Sequence, residues 1–354
     1  MPLGTDEQSP RPSARDSDGR MLQSPAIYLP ERSRHERQMA GLVFLLSFVY
    51  LLIFRRYTAM EPDEGIILQG AQRILHGEVL YRDFFSFFTP GSYYFLALLF
   101  KIFGSSILVA RTALVFFGGL FSVVNYLLAR RVCSRGSALM VAGLVTVTTL
   151  PYRFLVLHNW DSTLLACLAL YCAVRLLEHP NWKWAFAVGS FASLTFFFEQ
   201  SKGAGLSLGL CGGFLVITLV GGRQHLLKRA QVIGLGLGLA WPLVITLIYF
   251  ATQNGFSAMV KDWVWPLQHY SAANRVPYGY QNWSDSTRHL LFGTGSFGVR
   301  FLKVLAISPC LLIPVLPLVG VGILVYWIVQ MSGRRASQPQ SAYYVLASAA
   351  LSGL

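Results

Sequence analysis

Apolar residues in this chain come in long blocks separated by short polar turns. Blocks near 39–57, 106–129, 137–157, 162–178, 183–200, 203–220, 230–250 and 303–330 are mostly apolar. Each approaches the roughly 20 residues that a helix needs to cross a bilayer. A ninth apolar segment starts near Ala342 and runs to Leu354. The pattern predicts an all-α polytopic membrane protein with about eight or more transmembrane helices. Residues 89–104 are apolar too and read either as a span or as a helix lying on the membrane surface.

Polar stretches divide the rest. Residues 1–38 mix six Arg with six Asp and Glu among Pro and Ser, which predicts a disordered cytoplasmic tail. That tail has no apolar core for a cleaved signal peptide, so the first span reads as an uncleaved anchor. Residues 39–330 form the transmembrane domain, with two long outer loops at about 57–105 and 251–302. Residues 331–354 read as an inner loop and the start of a further, truncated span. In the first long loop, Glu61-Pro62-Asp63-Glu64-Gly65 opens a helix: proline suits the first position, and acids favour the positive end of the dipole. Ile66, Ile67, Gly70, Ala71, Ile74 and Leu75 repeat at helical spacing, which predicts an amphipathic interfacial helix ended by Gly77.

Composition agrees with the pattern. Of 354 residues, 54% are apolar and 13% charged, too few polar residues to cover a soluble core. Mean hydropathy is +0.50. The net charge of +13 would suggest nucleic acid in a soluble chain, but here it sits between apolar runs, so no nucleic-acid partner is expected. With the N-terminus inside, the short inner loops hold Arg130, Arg131, Arg135, Arg175, Lys183, Arg223, Lys228, Arg229, Arg334 and Arg335, whereas the short outer loops hold only Arg153 and Lys202. That ten-to-two bias predicts a multi-pass protein of the inner (plasma) membrane with a cytoplasmic N-terminus, provided 89–104 does not cross. Arg55 and Arg56, at the outer end of the first span, run against the rule. The five cysteines form no C-x-x-C or Cys/His cluster, and no metal site is indicated.

The candidate chemistry gathers at outer span ends. Asp63 and Glu64 are either helix-start residues or acids able to take a proton. Asp161, in His158-Asn159-Trp160-Asp161, either caps the next span or helps Asp63 orient an acceptor. Arg82 and Asp83 are charges at headgroup depth, where such groups are paired or functional. Lys202 either snorkels or clamps a lipid phosphate. Trp263, Trp265 and Tyr270 in the second loop form an interfacial belt or a surface for sugar rings. The glycine runs at 203–209 and 234–238 suit close helix packing and lack the residues of a phosphate loop.

Taken in order, Asp63-Glu64, Leu75-His76-Gly77-Glu78-Val79-Leu80-Tyr81-Arg82-Asp83, Thr89-Pro90-Gly91, Lys101-Ile102-Phe103-Gly104, Ala110-Arg111, Ala129-Arg130-Arg131, Asp161 and Lys202-Gly203 resemble the GT-C superfamily of polyprenyl-phosphate-sugar-dependent glycosyltransferases. That superfamily includes the protein O-mannosyltransferases and the lipid A aminoarabinose transferases. The resemblance implies transfer of a sugar from a polyprenyl-phosphate-linked donor to the hydroxyl of a glycan, lipid or protein acceptor at the outer face. It makes Asp63 the general base, with Glu64 next and Asp161 assisting. Arg82 and Lys202 would hold the donor phosphate, and Asp83, His158, Trp263, Trp265 and Tyr270 the sugar or acceptor. It requires no cofactor and leaves a divalent cation open. Members usually have more spans than eight, so the chain reads as a fragment or a short member. A transporter or flippase is the competing reading. It would place charges in the middle of spans, whereas the notable charges here lie at span ends.

Overall fold

The structure is a computed structural model of the chain. It describes residues 34–56, 62–221, 227–273, 296–301, 316–333 and 345–350. The expected tail over 1–33, the loop over 274–295, the start of the 303–330 span and the glycosylation-like triplet at Asn282 lie outside the described residues.

Among the described residues the architecture is helical, with one isolated bridge between Leu80 and Phe84 and no strand. The helices are α1 (Arg34–Leu52), α2 (Pro62–Leu75), α3 (Gly91–Phe103), α4 (Ile107–Ala129), α5 (Arg135–Thr148), α6 (His158–Glu178), α7 (Trp182–Phe198), α8 (Gln200–Gly221), α9 (Arg229–Thr252), α10 (Phe256–Ala273) and α11 (Leu316–Gly333). Five are long and apolar enough to cross a membrane: α1 with its 3₁₀ extension Ile53–Arg56, α4, α6, α8 and α9. Large apolar side chains on α1 and α9, such as Leu46, Val49, Ile233 and Ile248, are exposed, as a lipid-facing surface requires.

Several predicted elements shift. The α3 helix has 13 residues, about 20 Å of rise, which is short for a hydrocarbon core of about 30 Å. The span expected over 137–157 stops at Thr148. Pro151 sits in a 3₁₀ turn at Leu150–Arg153, and residues 154–157 continue without helix. The α6 helix starts at His158, so Asp161 lies within its first turns and the N-cap is Leu157. The second long loop begins with a helix, α10, that carries Pro266 inside it. In α2 the buried positions are Glu64, Ile67, Leu68, Gly70 and Ala71, while Ile66 is half exposed. Its buried face is therefore built around an acid. Gly77 ends the helix at φ 96°, as expected for that residue.

Packing brings backbones close where the sequence supplies small residues. A methyl group on Gly234 of α9 would sit 2.7 Å from the Trp182 carbonyl oxygen, and one on Gly91 would sit 2.7 Å from the Phe197 carbonyl oxygen. Trp241 of α9 also donates its indole N–H to Ser190 of α7 at 2.8 Å. Within the apolar bundle, Thr146 hydroxyl contacts tie α1 through Ser47 (2.9 Å) and α4 through Ser122 (2.7 Å).

Ion pairs fasten both ends of the bundle. At one end Glu36 accepts from Arg130, Arg135 and Tyr126, and Glu178 pairs with Arg131 and Arg175. Several basic residues that the topology count assigned to inner loops are thus neutralised within the fold. At the other end Arg111 of α4 binds Glu64 of α2 through both carboxylate oxygens, Nε to Oε1 at 3.1 Å and Nη2 to Oε2 at 2.8 Å. Glu64 Oε1 also accepts the Val156 amide at 3.1 Å. Both side chains are almost fully buried, at 5% and 0% exposure.

Removing one partner of a buried pair leaves an unpaired charge and costs about 3–5 kcal/mol. Glu64→Ala and Arg111→Leu are each expected to lower the thermal unfolding midpoint sharply in detergent. The double variant Glu64→Met/Arg111→Leu should recover much of the loss. Equal stability of Glu64→Ala and the parent would show that the pair does not hold this end together.

Candidate active site

The candidate site forms where the start of α6 meets the α7–α8 turn. Glu199 ends α7 and Lys202 sits in the first turn of α8, three residues apart, so their side chains reach one another at 2.8 Å. Lys202 Nζ also donates to the Asn159 carbonyl (3.1 Å), Ser162 Oγ (2.9 Å) and Thr163 Oγ1 (2.9 Å). An ammonium has three donors, and four oxygens surround this one. Ser162 in turn donates to Glu199 Oε2 at 2.6 Å. The result is a charge-balanced knot binding α6 to the α7–α8 turn.

Two other candidates lie in the same field. The charge of Asp63, exposed in the first turn of α2, reaches His158, and Lys202 acts on both His158 and Asp161. Asp161 is buried and accepts from Ser92 Oγ at 3.1 Å, so it joins α6 to α3. The His158 ring packs on Phe88 with centroids 4.4 Å apart. Its Nδ1 and the neighbouring Thr89 Oγ1 are buried without a hydrogen-bond partner among the described residues. Unpaired polar atoms are uncommon in folded interiors, and here one lies on His158 and the other on the residue that follows its ring partner Phe88.

The structure thus ties Lys202 to the start of α6, the helix that carries His158 and Asp161, while Asp63 lies exposed in the first turn of α2. Glu64 stands apart as the buried partner of Arg111. Arg82 and Asp83, expected to meet a phosphate and a sugar, pair with each other: Arg82 Nε and Nη2 donate to Asp83 at 2.9 and 2.8 Å, and Nη1 reaches the Gln253 carbonyl at 3.2 Å. Asp83 also accepts the Val79 amide at 2.7 Å. This clamp closes a tight loop in which Tyr81 takes φ 68°, the left-handed region, at a cost of order 1–3 kcal/mol. The Tyr81 hydroxyl donates to the Phe88 carbonyl and accepts from Trp263 Nε1, both at 2.8 Å. Burial pushes the Tyr81 phenol well above its ordinary value, so it keeps its proton and its donor role.

Trp263 also packs edge-on against Phe196, and Trp265 stacks on Phe87 at 5.9 Å and on His269 at 4.9 Å. The two tryptophans therefore anchor α10 to the first loop. The side chain of Tyr270 lies outside the described residues. Asp262 of α10 accepts the Ser86 amide at 3.0 Å; burial raises its carboxyl pKa and that hydrogen bond partly offsets the rise. Among the described residues no group of three His, Cys, Asp or Glu is placed to hold a metal ion.

Sequence reasoning passed over Glu199, Ser162 and Thr163. The signal was there: an acid and a lysine at i, i+3 spacing in a turn between two apolar blocks, which helical geometry pairs. It also gave Arg111 no structural role, although a charge near the start of a long apolar helix demands a partner.

Residues 88–250 match the family model described as dolichyl-phosphate-mannose-protein mannosyltransferase. The resemblance to GT-C glycosyltransferases that the motifs carry is a finding of this comparison too. The matched segment contains His158, Asp161, Glu199 and Lys202 and begins after the Arg82–Asp83 clamp. Among solved structures, the crystal structure of ArnT from Cupriavidus metallidurans bound to undecaprenyl phosphate matches with 16% identity and a TM-score of 0.48, over 90% of this chain and 59% of that one. The chain thus spans about three-fifths of the length of that protein. No curated protein sequence matches it.

The Arg82 clamp and the Val79 amide hold Asp83 at about 2, below its ordinary 3.8. A depressed carboxylate contributes stability that is present above its unfolded value and lost as pH falls through the folded one. The difference in melting temperature between the parent and Asp83→Asn should therefore be constant from pH 7 to about pH 5 and shrink between about pH 4 and pH 2. A difference that grows on acidification would contradict the clamp.

Proposed function

We propose that this protein is a membrane glycosyltransferase that moves a sugar from a polyprenyl-phosphate-linked donor to an acceptor hydroxyl, at the membrane face that carries α2. The observation that carries the reading is the Lys202–Glu199 knot bound to the start of α6, the helix that carries His158, all within the family-matched segment. In the reaction the acceptor oxygen attacks the anomeric carbon. A carbon–oxygen bond forms there as the bond to the lipid phosphate breaks, and the phosphate leaves with the electron pair. The acceptor proton passes to a carboxylate.

Asp63 is the base in this reading. It is exposed, whereas Glu64 is committed to Arg111 and Asp161 is enclosed beside Ser92. Lys202 supplies the positive charge that steadies the leaving phosphate. Because Lys202 is held by Glu199 before any donor arrives, the phosphate competes with that carboxylate for the ammonium. His158 and Thr89 offer unpaired polar atoms to hydroxyls of the sugar or acceptor. Trp263 and Trp265 shape the adjoining wall, and Arg82 with Asp83 fixes the loop that presents it. The acceptor side is open to glycan, lipid or protein, and the membrane is the cell inner membrane with the N-terminus in the cytoplasm.

Sugar transfer from a synthetic polyprenyl-phosphate sugar tests this. Asp63→Asn keeps shape and helix-start chemistry and should lose about 10²–10⁴ in rate with donor binding intact. Lys202→Ala should instead weaken donor use, seen mainly in KM, with residual transfer. Undiminished transfer by Asp63→Asn would remove Asp63 from the mechanism.

A further inference from the structure

Arg55 is the residue that the charge pattern left unexplained, a cation at the end of the first span where the topology rule disfavours one. The structure places it half-buried at the end of an apolar groove of about 700 Å³ between α1, α3 and α4. Phe48, Phe95, Val109 and Phe116 line the groove, and its polar side chains are Arg55 and Thr112. Arg55 Nη1 donates to Thr112 Oγ1 at 3.1 Å, and among the described residues no carboxylate pairs with it. Two other arginines behave differently: Arg111, next to Thr112, is buried against Glu64, and Arg56, next to Arg55, is exposed. A guanidinium keeps its charge at all accessible pH and seeks an anion with oxygens in a plane or a fork.

We propose that this groove binds an anionic glycerophospholipid of the bilayer, with the phosphoryl headgroup on Arg55 and an acyl chain along α4. The volume suits roughly twenty methylene-sized groups, at about 30 Å³ each. Charge and shape together select the class: one cation at the mouth matches one phosphodiester anion, and phenylalanine walls match a hydrocarbon chain. The lining has no acid, amide or tryptophan to grip a sugar and shares no residue with the Lys202 knot, so an ordinary lipid fits better than a glycosyl donor. A second cavity, about 360 Å³ between α7, α8 and α9, is also apolar but has no charged residue and makes no such selection.

Purified full-length protein, stripped of lipid in detergent, is titrated with phosphatidylglycerol, phosphatidylcholine or undecaprenyl phosphate, and thermal stability and lipid retention by native mass spectrometry are read. Phosphatidylglycerol should stabilise the parent and remain bound, with phosphatidylcholine weaker. Arg55→Gln should reduce phosphatidylglycerol affinity by about ten- to a hundredfold, the size of a charge-assisted contact. Arg56→Gln should leave it unchanged. Ala113→Phe, which fills the groove, should act like Arg55→Gln, and if it does not fold the Arg55→Gln arm decides alone. Equal effects of the two phospholipids, full binding by Arg55→Gln, or a response to undecaprenyl phosphate alone would each overturn the proposal. None of these outcomes depends on sugar transfer, so failure here leaves the glycosyltransferase reading standing.

Discussion

The pair of Glu64 and Arg111 is the constraint on which the site end of this fold depends. Burying a single carboxylate or guanidinium in an apolar bundle is costly, and each makes the other tolerable. Their forked contact fixes α2 against α4, and the second use of Glu64 on the Val156 amide fixes the segment that leads into α6. Asp63 and His158 belong to the two elements so joined, α2 and α6. The relative placement of these two candidates is therefore set by an acid bound to Arg111 and to the Val156 amide. An Asp-Glu dipeptide at a helix start divides its labour in this way: helical geometry points successive side chains about 100° apart, one outward and one into the bundle.

The Lys202 knot follows a related logic. An ammonium is expensive to keep unpaired inside an apolar assembly. Here Glu199 and three neighbouring oxygens balance it, and in doing so tie α6 to α8. The contacts that hold the lysine also limit how readily it can turn to a ligand, so site rigidity and ligand affinity draw on one set of hydrogen bonds.

Long apolar blocks made the class of fold legible, because 20-residue apolar runs leave few alternatives to helices in lipid. The start of α2 was legible from Pro62 and the acids, and its end from Gly77. What periodicity could not reveal was depth and partnership. Pro151 cuts one expected span and Pro266 is tolerated within α10, a difference decided by tertiary packing. Asp63, His158, Asp161 and Lys202 were visible as polar residues at span ends, and of these the structure ties Lys202 by hydrogen bonds to the start of the helix that carries His158 and Asp161. Arg82 looked equally available, but its nearest acid is the next residue, and the tight turn that lets adjacent side chains chelate each other is a property of three-dimensional structure.

Tyr81 stores this loop's tension in a usable form. Its left-handed backbone is sustained by one hydroxyl that bonds in two directions, to Phe88 in the loop and to Trp263 in α10. Phe88 in turn packs against the His158 ring in a tilted arrangement, so the same hydroxyl connects α10 to the residues beside His158. The phenol is thus a single joint through which the fixed backbone of the first loop, α10 and the wall beside His158 are held together.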